Sequence, residues 1–79
     1  MPNAIPSALI VDDGKRVLFR IQGKFYELSQ AELRSLLGLP AGPPGVGISI
    51  DGQRFSFEFS MDCRTVELTA AQLYRRLVS

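Results

Sequence analysis

The sequence predicts an α+β protein made of two internally duplicated β-β-β-α units, with about six short antiparallel strands and two helices that share one core. Two observations predict this class. With a shift of forty positions, the segment Glu27–Leu33 falls on Glu67–Leu73, and six of its seven positions keep the same or a closely similar residue type. Each half also has two turn signals followed by a helix start, in the same order.

The strands of each half are predicted by the turns between them. Asp13-Gly14 is a strong hairpin signal, because a type I′ turn needs positive φ at both central residues. Asp51-Gly52 repeats this signal, two residues earlier than the forty-residue shift would place it. Gln22-Gly23 and Asp62-Cys63 are weaker signals for the second turn of each half. The alternation of Phe with polar residues in Arg54–Ser60 is typical of a strand with one buried face.

These two-residue loops fix the strand register and therefore the faces of each sheet. In the first half they place Ile10 opposite Val17, and Phe19 opposite Tyr26. The predicted partners in the second half are Ile48 with Phe55, Phe57 with Leu68, Phe59 with Val66, and Glu58 with Glu67. The forty-residue shift also places Val17, Phe19 and Ile21 on Phe57, Phe59 and Met61.

The helix starts are predicted by capping boxes. Ser29 precedes Glu32 by three residues, and Thr69 precedes Gln72 by the same spacing. Gly38, with Pro40 close behind it, marks the end of the first helix. The chain is therefore expected to be a single domain over residues 1–79, with pseudo-repeats at about 8–38 and 46–79 and a Pro/Gly connector at 39–45.

The apolar positions on the inner faces of the predicted strands and helices form the expected core, because neither half alone buries enough apolar surface to fold. The predicted core residues are Ile10, Val17, Phe19, Ile21, Tyr26, Leu28, Leu33, Leu36, Leu37, Ile48, Phe55, Phe57, Phe59, Val66, Leu68, Leu73 and Leu77. The sequence leaves open whether the strands form one sheet, two packed sheets or a barrel.

Composition argues against several classes of function. The chain has no His and a single Cys, which exclude His-based catalysis, Cys-cluster zinc sites and an internal disulfide. We therefore expect no enzyme, no cofactor and no metal. No apolar run approaches the ~20 residues of a membrane span, and the start lacks a secretory signal. A cytoplasmic protein is expected, and the excess of Arg over Lys favours a GC-rich bacterial or phage genome.

The outer faces of the two predicted meanders differ in polarity. The second is polar, whereas the first has an apolar centre with an Arg-bearing rim, which is typical of a protein-binding patch. The predicted protein-binding residues are Leu9, Val11, Arg16, Leu18, Arg20, Phe25 and Glu27. The partner is either a different protein or a second copy in a homodimer. The intramolecular alternative is that the N-terminal segment with Ile5 and Pro6, or a helix, covers this face.

A second hypothesis is a nucleic-acid-binding accessory protein. Its basic surface comprises Lys15, Arg16, Arg20, Lys24 and Arg34, with Phe25 and Tyr26 available for base stacking. The net charge of +1 and the interleaved acidic residues disfavour it. An enzyme of this size would have to use Glu58, Glu67 and Asp62, and nothing else catalytic surrounds them.

Overall fold

The computed structural model describes residues 5–43 and 45–79. The elements are β1 (Ser7–Val11), β2 (Arg16–Ile21), β3 (Lys24–Ser29), α1 (Gln30–Leu36), β4 (Gly47–Asp51), β5 (Arg54–Phe59), a 3₁₀ turn (Ser60–Asp62), β6 (Arg64–Thr69) and α2 (Ala70–Val78). The described residues thus contain six antiparallel strands and two helices, and each group of three strands is followed by a helix. The predicted duplicated α+β fold is confirmed.

The strands form two separate three-stranded sheets, a point that the sequence left open. The first sheet has the order β1-β2-β3 and the second has the order β4-β5-β6. The predicted register of the first sheet is confirmed, since Ile10 lies opposite Val17 and Phe19 lies opposite Tyr26. Its first loop holds the two aspartates and the glycine of residues 12–14 at positive φ.

In the second sheet the predicted register is wrong by two residues. Ile50, not Ile48, lies opposite Phe55. The loop consists of Gly52 and Gln53, and the positive φ of +62° falls on Gly52. A type II′ turn has glycine at its first central position, so this glycine begins the loop instead of ending it. Because the slip is an even number of residues, every side chain keeps its predicted face.

The second turn of this half is also longer than predicted. The 3₁₀ turn and Cys63, which lies in the left-handed region at φ 55° and ψ 43°, form a four-residue loop. Phe57 therefore pairs with Val66, and Glu58 pairs with Thr65 instead of Glu67. Phe59 lies opposite Arg64, where Val66 was expected, and Leu68 lies opposite Phe55.

The turn lengths also change which residues of the two middle strands, β2 and β5, correspond to each other. Arg16 of β2 corresponds to Arg54 of β5, and the two strands share the same pattern of buried and exposed positions. Phe59 therefore takes the place that the forty-residue shift gave to Met61, which lies in the loop and is 69% exposed. The second half has two more residues than the first in its second turn and two fewer in its first turn.

One cluster of buried side chains includes residues of both halves. Its buried members are Val17, Phe19, Ile21, Leu33, Leu37, Phe55, Phe57, Phe59, Leu68, Ala70 and Leu73. The other predicted core residues pack against this cluster half-buried, with one exception. Ile10 is 41% exposed. The prediction was wrong there because β1 is an edge strand, and α1 lies against β2 and β3.

Aromatic contacts join the two halves. The Phe19 ring packs edge-to-face on Phe55 and on Phe57 of the second sheet, with centroids 6.0 Å apart in each case. Tyr26 and Tyr74 make a similar contact at 6.3 Å. The sheets therefore face each other through their inner sides, and their outer faces point away from the core.

Both capping boxes are confirmed. The Ser29 hydroxyl accepts from the Glu32 N–H at 3.1 Å, and the Glu32 carboxylate accepts from the Ser29 N–H at 2.8 Å. Thr69 and Gln72 make the same two bonds at 3.1 and 2.9 Å. Gly38 ends α1 at φ +77°, as predicted.

Candidate functional site

The outer side of the first sheet brings together all seven residues that the sequence predicted to bind protein. They are Leu9, Val11, Arg16, Leu18, Arg20, Phe25 and Glu27, and we call this set the first-sheet outer face. Leu9 lies directly opposite Leu18, Val11 opposite Arg16, Leu18 opposite Glu27, and Arg20 opposite Phe25. Leu9 and Leu18 face each other directly, and Val11 and Phe25 occupy adjoining positions of the same face, so the four apolar residues form a patch.

The apolar centre of this patch is open to solvent. Leu9 is 60% exposed and Phe25 is 67% exposed, whereas Leu18 and Val11 are half-buried. Among the described residues, Ile5 is 78% exposed, and both helices direct buried leucines into the core on the other side of the sheet. The described part of the chain therefore leaves the face uncovered; residues 1–4 lie outside it.

Charged side chains surround the apolar centre. The Arg16 Nη1 atom lies 3.3 Å from the Glu27 Oε2 atom, with both side chains about half exposed. The Arg20 guanidinium carbon lies 5.9 Å from the Phe25 ring centroid, at the outer limit of a cation–π contact. Arg16 is therefore partly neutralised, whereas Arg20 makes no ion pair with the described residues.

The corresponding face of the second sheet is polar. Its residues include Gly47, Ser49, Asp51, Arg54, Ser56, Glu58, Thr65 and Glu67. Leu18 and Ser56 occupy equivalent positions in the two middle strands, both half-buried. The exposed apolar patch is therefore a property of the first sheet and does not follow from the fold, which both sheets share.

Arg34 does not belong to a basic surface, contrary to the nucleic-acid hypothesis. Its side chain is 2% exposed. The two terminal nitrogens donate to both carboxylate oxygens of Asp62 at 3.0 and 2.9 Å, and they also donate to the carbonyls of Pro40 and Pro43, each at 3.2 Å. The guanidinium carbon lies 4.7 Å from the Phe59 ring centroid.

A signal for this burial was present in the sequence. The forty-residue shift aligns Arg34 with Tyr74 of α2, which is half-buried against the core. The aligned position faces the core in the second repeat, and this is the feature that pointed to burial of Arg34. The sequence did not indicate its anion, because Asp62 is 28 residues away in a turn that is two residues longer than predicted.

The ion pair fixes the charge state of Asp62. Hydrogen bonds from Arg34 lower the pKa of the Asp62 carboxyl, and the carboxylate in turn raises the pKa of Arg34. Asp62 therefore stays ionised and does not suit general acid–base catalysis near neutral pH. Glu58 and Glu67, the other two carboxylates of the enzyme hypothesis, lie opposite Thr65 and Ser56 instead of opposite each other.

Neither a metal site nor a membrane-spanning helix is found among the described residues. These residues contain no group of three or more Cys, Asp or Glu side chains placed to hold a metal ion. Cys63 is exposed in its turn. Neither described helix is long and apolar enough to cross a bilayer. No family model, curated protein sequence or solved structure matches the chain.

Proposed function

We propose that this chain is a small non-enzymatic protein-interaction module, an adaptor or an inhibitor, that binds another protein through the first-sheet outer face. The observation that carries the proposal is the exposure of Leu9 and Phe25 on a sheet face whose counterpart in the second half is polar. Burying exposed apolar surface against a partner is favourable at roughly 25 cal/mol per Å² before the costs of association.

The composition of the face supports a protein partner. Interface centres are enriched in aromatic residues and Arg and depleted in Lys, and this face contains Phe25, Arg16 and Arg20 but no Lys. We place this activity in the cytoplasm, since the chain's one thiol, Cys63, is exposed and a reducing compartment would keep it unpaired.

The nucleic-acid alternative is less well supported. It loses Arg34, which is engaged by Asp62, and Arg16 is paired with Glu27. The remaining basic residues of that set are Lys15, Arg20 and Lys24. Phosphate binding depends on several unpaired cations on one surface, and few remain here.

A charge placed in the centre of the face tests the proposal. Leu18→Asp is compared with Ser56→Asp, which adds the same charge at the equivalent position of the second sheet. Proteins retained from an extract of the source organism are first identified with immobilised wild-type chain, and their dissociation constants are then measured with each variant. We expect Leu18→Asp to weaken binding by roughly tenfold or more and Ser56→Asp to leave it unchanged.

Phe25→Ser keeps the test decisive if Leu18→Asp unfolds. Because Phe25 is 67% exposed, its replacement should leave the circular dichroism spectrum of the folded chain unchanged while reducing binding. Binding that survives both Leu18→Asp and Phe25→Ser would refute the proposal. Retention on DNA or RNA that falls steeply with salt would favour the nucleic-acid alternative instead.

A further inference from the structure

We propose that two copies of this chain associate by antiparallel pairing of their β1 strands, which joins two three-stranded sheets into one six-stranded sheet. The pairing uses the edge of the sheet and leaves the outer faces open. It therefore goes beyond the proposed function and can fail or succeed separately from it.

Among the described residues nothing pairs with the outer edge of β1, and no charge, proline or bulge lies within the strand itself. It lies at one side of the first sheet, next to β2. Its sequence, Ser-Ala-Leu-Ile-Val, contains no charged residue, whereas each of the other five described strands contains at least one. Natural proteins protect edge strands with charges, prolines or bulges, so an uncharged edge indicates a strand that has a partner.

The hydrogen-bond pattern of the first sheet shows which backbone groups of β1 do not bond to β2. The Lys15 carbonyl accepts from the Gln30 N–H at 3.1 Å, across the junction of β2 with β3. Since the backbone groups of successive residues in a strand point to opposite sides, odd-numbered residues of β2 bond to β3 and even-numbered residues bond to β1. The partners of those even-numbered residues are the odd-numbered residues of β1. Ala8 and Ile10 therefore direct their N–H and C=O groups away from the sheet.

Exposed apolar side chains on both faces of β1 point to an edge partner. Leu9 on the outer face is 60% exposed, and Ile10 on the core face is 41% exposed. A protein that docks on the outer face would cover only Leu9, whereas a strand added beside β1 covers part of both. In β4, the equivalent edge strand, Ser49 occupies the outer position and Ile50 packs half-buried against the core.

The chemistry of β1 fits a second copy of itself. A two-fold axis perpendicular to the sheet pairs residues whose side chains lie on the same face. Such an axis lies midway between one residue of β1 and the same residue of the second copy. With the axis at Leu9, Ala8 of each copy pairs with Ile10 of the other, and all the free N–H and C=O groups of these two residues are satisfied. Because the strand is uncharged, self-pairing brings no like charges together.

The neighbouring residues limit other registers. Pro6 has no N–H, so an axis at Ala8 would leave the Ile10 carbonyl without a donor. Asp12 has a φ of +54° and is not extended, so an axis at Ile10 would place the Ala8 groups opposite a turn. The pairing centred on Leu9 is therefore the register that the strand favours.

The joined sheet would enlarge the surface available to another protein. Three strands of up to six residues present a face of roughly 300 Å², from about 3.3 Å per residue and 4.8 Å between strands. A stable interface buries about 800 Å² on each partner. Two first-sheet outer faces side by side, with the Leu9 side chains adjacent at the axis, double the apolar face.

The mass of the full chain in solution tests the pairing. Sedimentation velocity across the micromolar range is compared for wild type, Ile10→Lys and Thr65→Lys. Ile10→Lys places a charge beside the proposed seam at a position that is already partly exposed. Thr65→Lys adds the same charge to β6, an edge strand of the second sheet. We expect a wild-type dimer, at least a roughly tenfold weaker association for Ile10→Lys, and no change for Thr65→Lys.

Disulfide trapping tests the register, in a Cys63→Ser background. Leu9 would face its own copy as a non-hydrogen-bonded pair with Cα atoms about 4.5 Å apart, within the range of about 4.4–6.8 Å that a disulfide needs. The two Ser7 residues would be about 13 Å apart, four residues along the strand. Leu9→Cys should therefore form a covalent dimer under mild oxidation, and Ser7→Cys should not.

Several results would overturn the proposal. A wild-type chain that stays monomeric across the range, or an Ile10→Lys variant with wild-type association, would show that β1 does not pair. Equal trapping of Leu9→Cys and Ser7→Cys, or trapping of neither, would also refute it. Leu18→Asp separates the two proposals, because it should remain dimeric here even though it loses binding to a different protein.

Discussion

At the scale of single residues, the contact between Arg34 and Asp62 determines how the second turn and the connector lie against α1. The guanidinium group has two carboxylate oxygens and two proline carbonyls as acceptors. A Cβ atom at Gly42 would lie 2.5 Å from the Arg34 Nη1 atom. The connector therefore needs glycine there, because these hydrogen bonds leave the guanidinium little freedom to move.

The ion pair predicts an acid dependence of stability. The pKa of Asp62 is lowered in the folded chain by hydrogen bonds from Arg34, so the unfolded chain binds a proton at a higher pH than the folded chain does. The stabilisation is therefore complete above the ordinary pKa of the carboxyl, 3.8, and is lost as the pH falls through the lowered value. Asp62→Asn should reduce the free energy of unfolding at neutral pH and flatten its decline in acid.

Denaturant unfolding at a series of pH values from neutral to strongly acidic measures this effect. Asp51→Asn is the control, since Asp51 is exposed at the end of β4. The Asp62→Asn variant should still lose some stability in acid, but less than the wild type. The remaining loss is expected because a hydrogen bond from the Ser29 backbone N–H also lowers the pKa of Glu32. If Asp51→Asn and Asp62→Asn showed the same curve, the ion pair would have no part in acid stability.

The surroundings of Arg34 also explain why it was wrongly predicted to belong to an exposed basic surface. Arginine is mostly exposed in folded proteins, and a single sequence favours that interpretation. Burial became possible because Phe59, Asp62 and the connector surround the guanidinium group from three directions. Phe59 and Asp62 are distant from Arg34 along the chain, so local patterns around Arg34 did not indicate them.

At the scale of elements, the helices were predictable because their signals are local. The two capping boxes each span four residues, and both form as the sequence indicated. The turns of the second half were harder to predict. Asp51-Gly52 marks a hairpin, but Gly52 occupies the first loop position, and dipeptide chemistry fits both placements. The faces were still correct, since an error of two residues does not exchange the faces of a strand.

The caps should contribute measurably to stability. Ser29→Ala and Thr69→Ala each remove the side-chain acceptor for an N–H in the first turn of a helix. We expect each substitution to lower the free energy of unfolding by about 1 kcal/mol, measured by urea denaturation. Ser29→Asp should retain most of the stability, because Asp is an equally good N-cap residue.

A serine elsewhere in the same helix is the matched control. Ser35 is exposed within α1, and Ser35→Ala should leave stability unchanged or raise it slightly, because alanine has the higher helix propensity. A loss in Ser35→Ala as large as that in Ser29→Ala would show that the hydroxyl at the cap has no special role.

At the scale of the whole molecule, alternation along the strands predicted which residues are buried, and Ile10 is the exception among the predicted core positions. Periodicity reports the face of a sheet on which a residue lies, but not whether another element covers that position. The same limit applies to the candidate site. The seven residues of the first-sheet outer face could be assigned to one face from the sequence, but the exposure of Leu9 and Phe25 depends on where the helices pack.

The shared core predicts that the two halves unfold together. Phe57 is completely buried and touches Phe19 of the first sheet, so Phe57→Ala removes a contact that both halves use. We expect a loss of about 3–5 kcal/mol, a large part of the roughly 4–12 kcal/mol expected for a chain of this length. Met61→Ala, at a loop position that is 69% exposed, should change stability little.

Amide resonances followed through a urea titration distinguish shared from separate unfolding. In the wild type and in Phe57→Ala, signals from β2 and from β5 should disappear at the same urea concentration, and the substitution should shift both midpoints equally. Neither half has a core of its own, because the buried ring of Phe19 packs on Phe55 and Phe57. A β2 midpoint that stayed at its wild-type value while the β5 midpoint fell would mean that the halves are two independent folding units, connected but not merged.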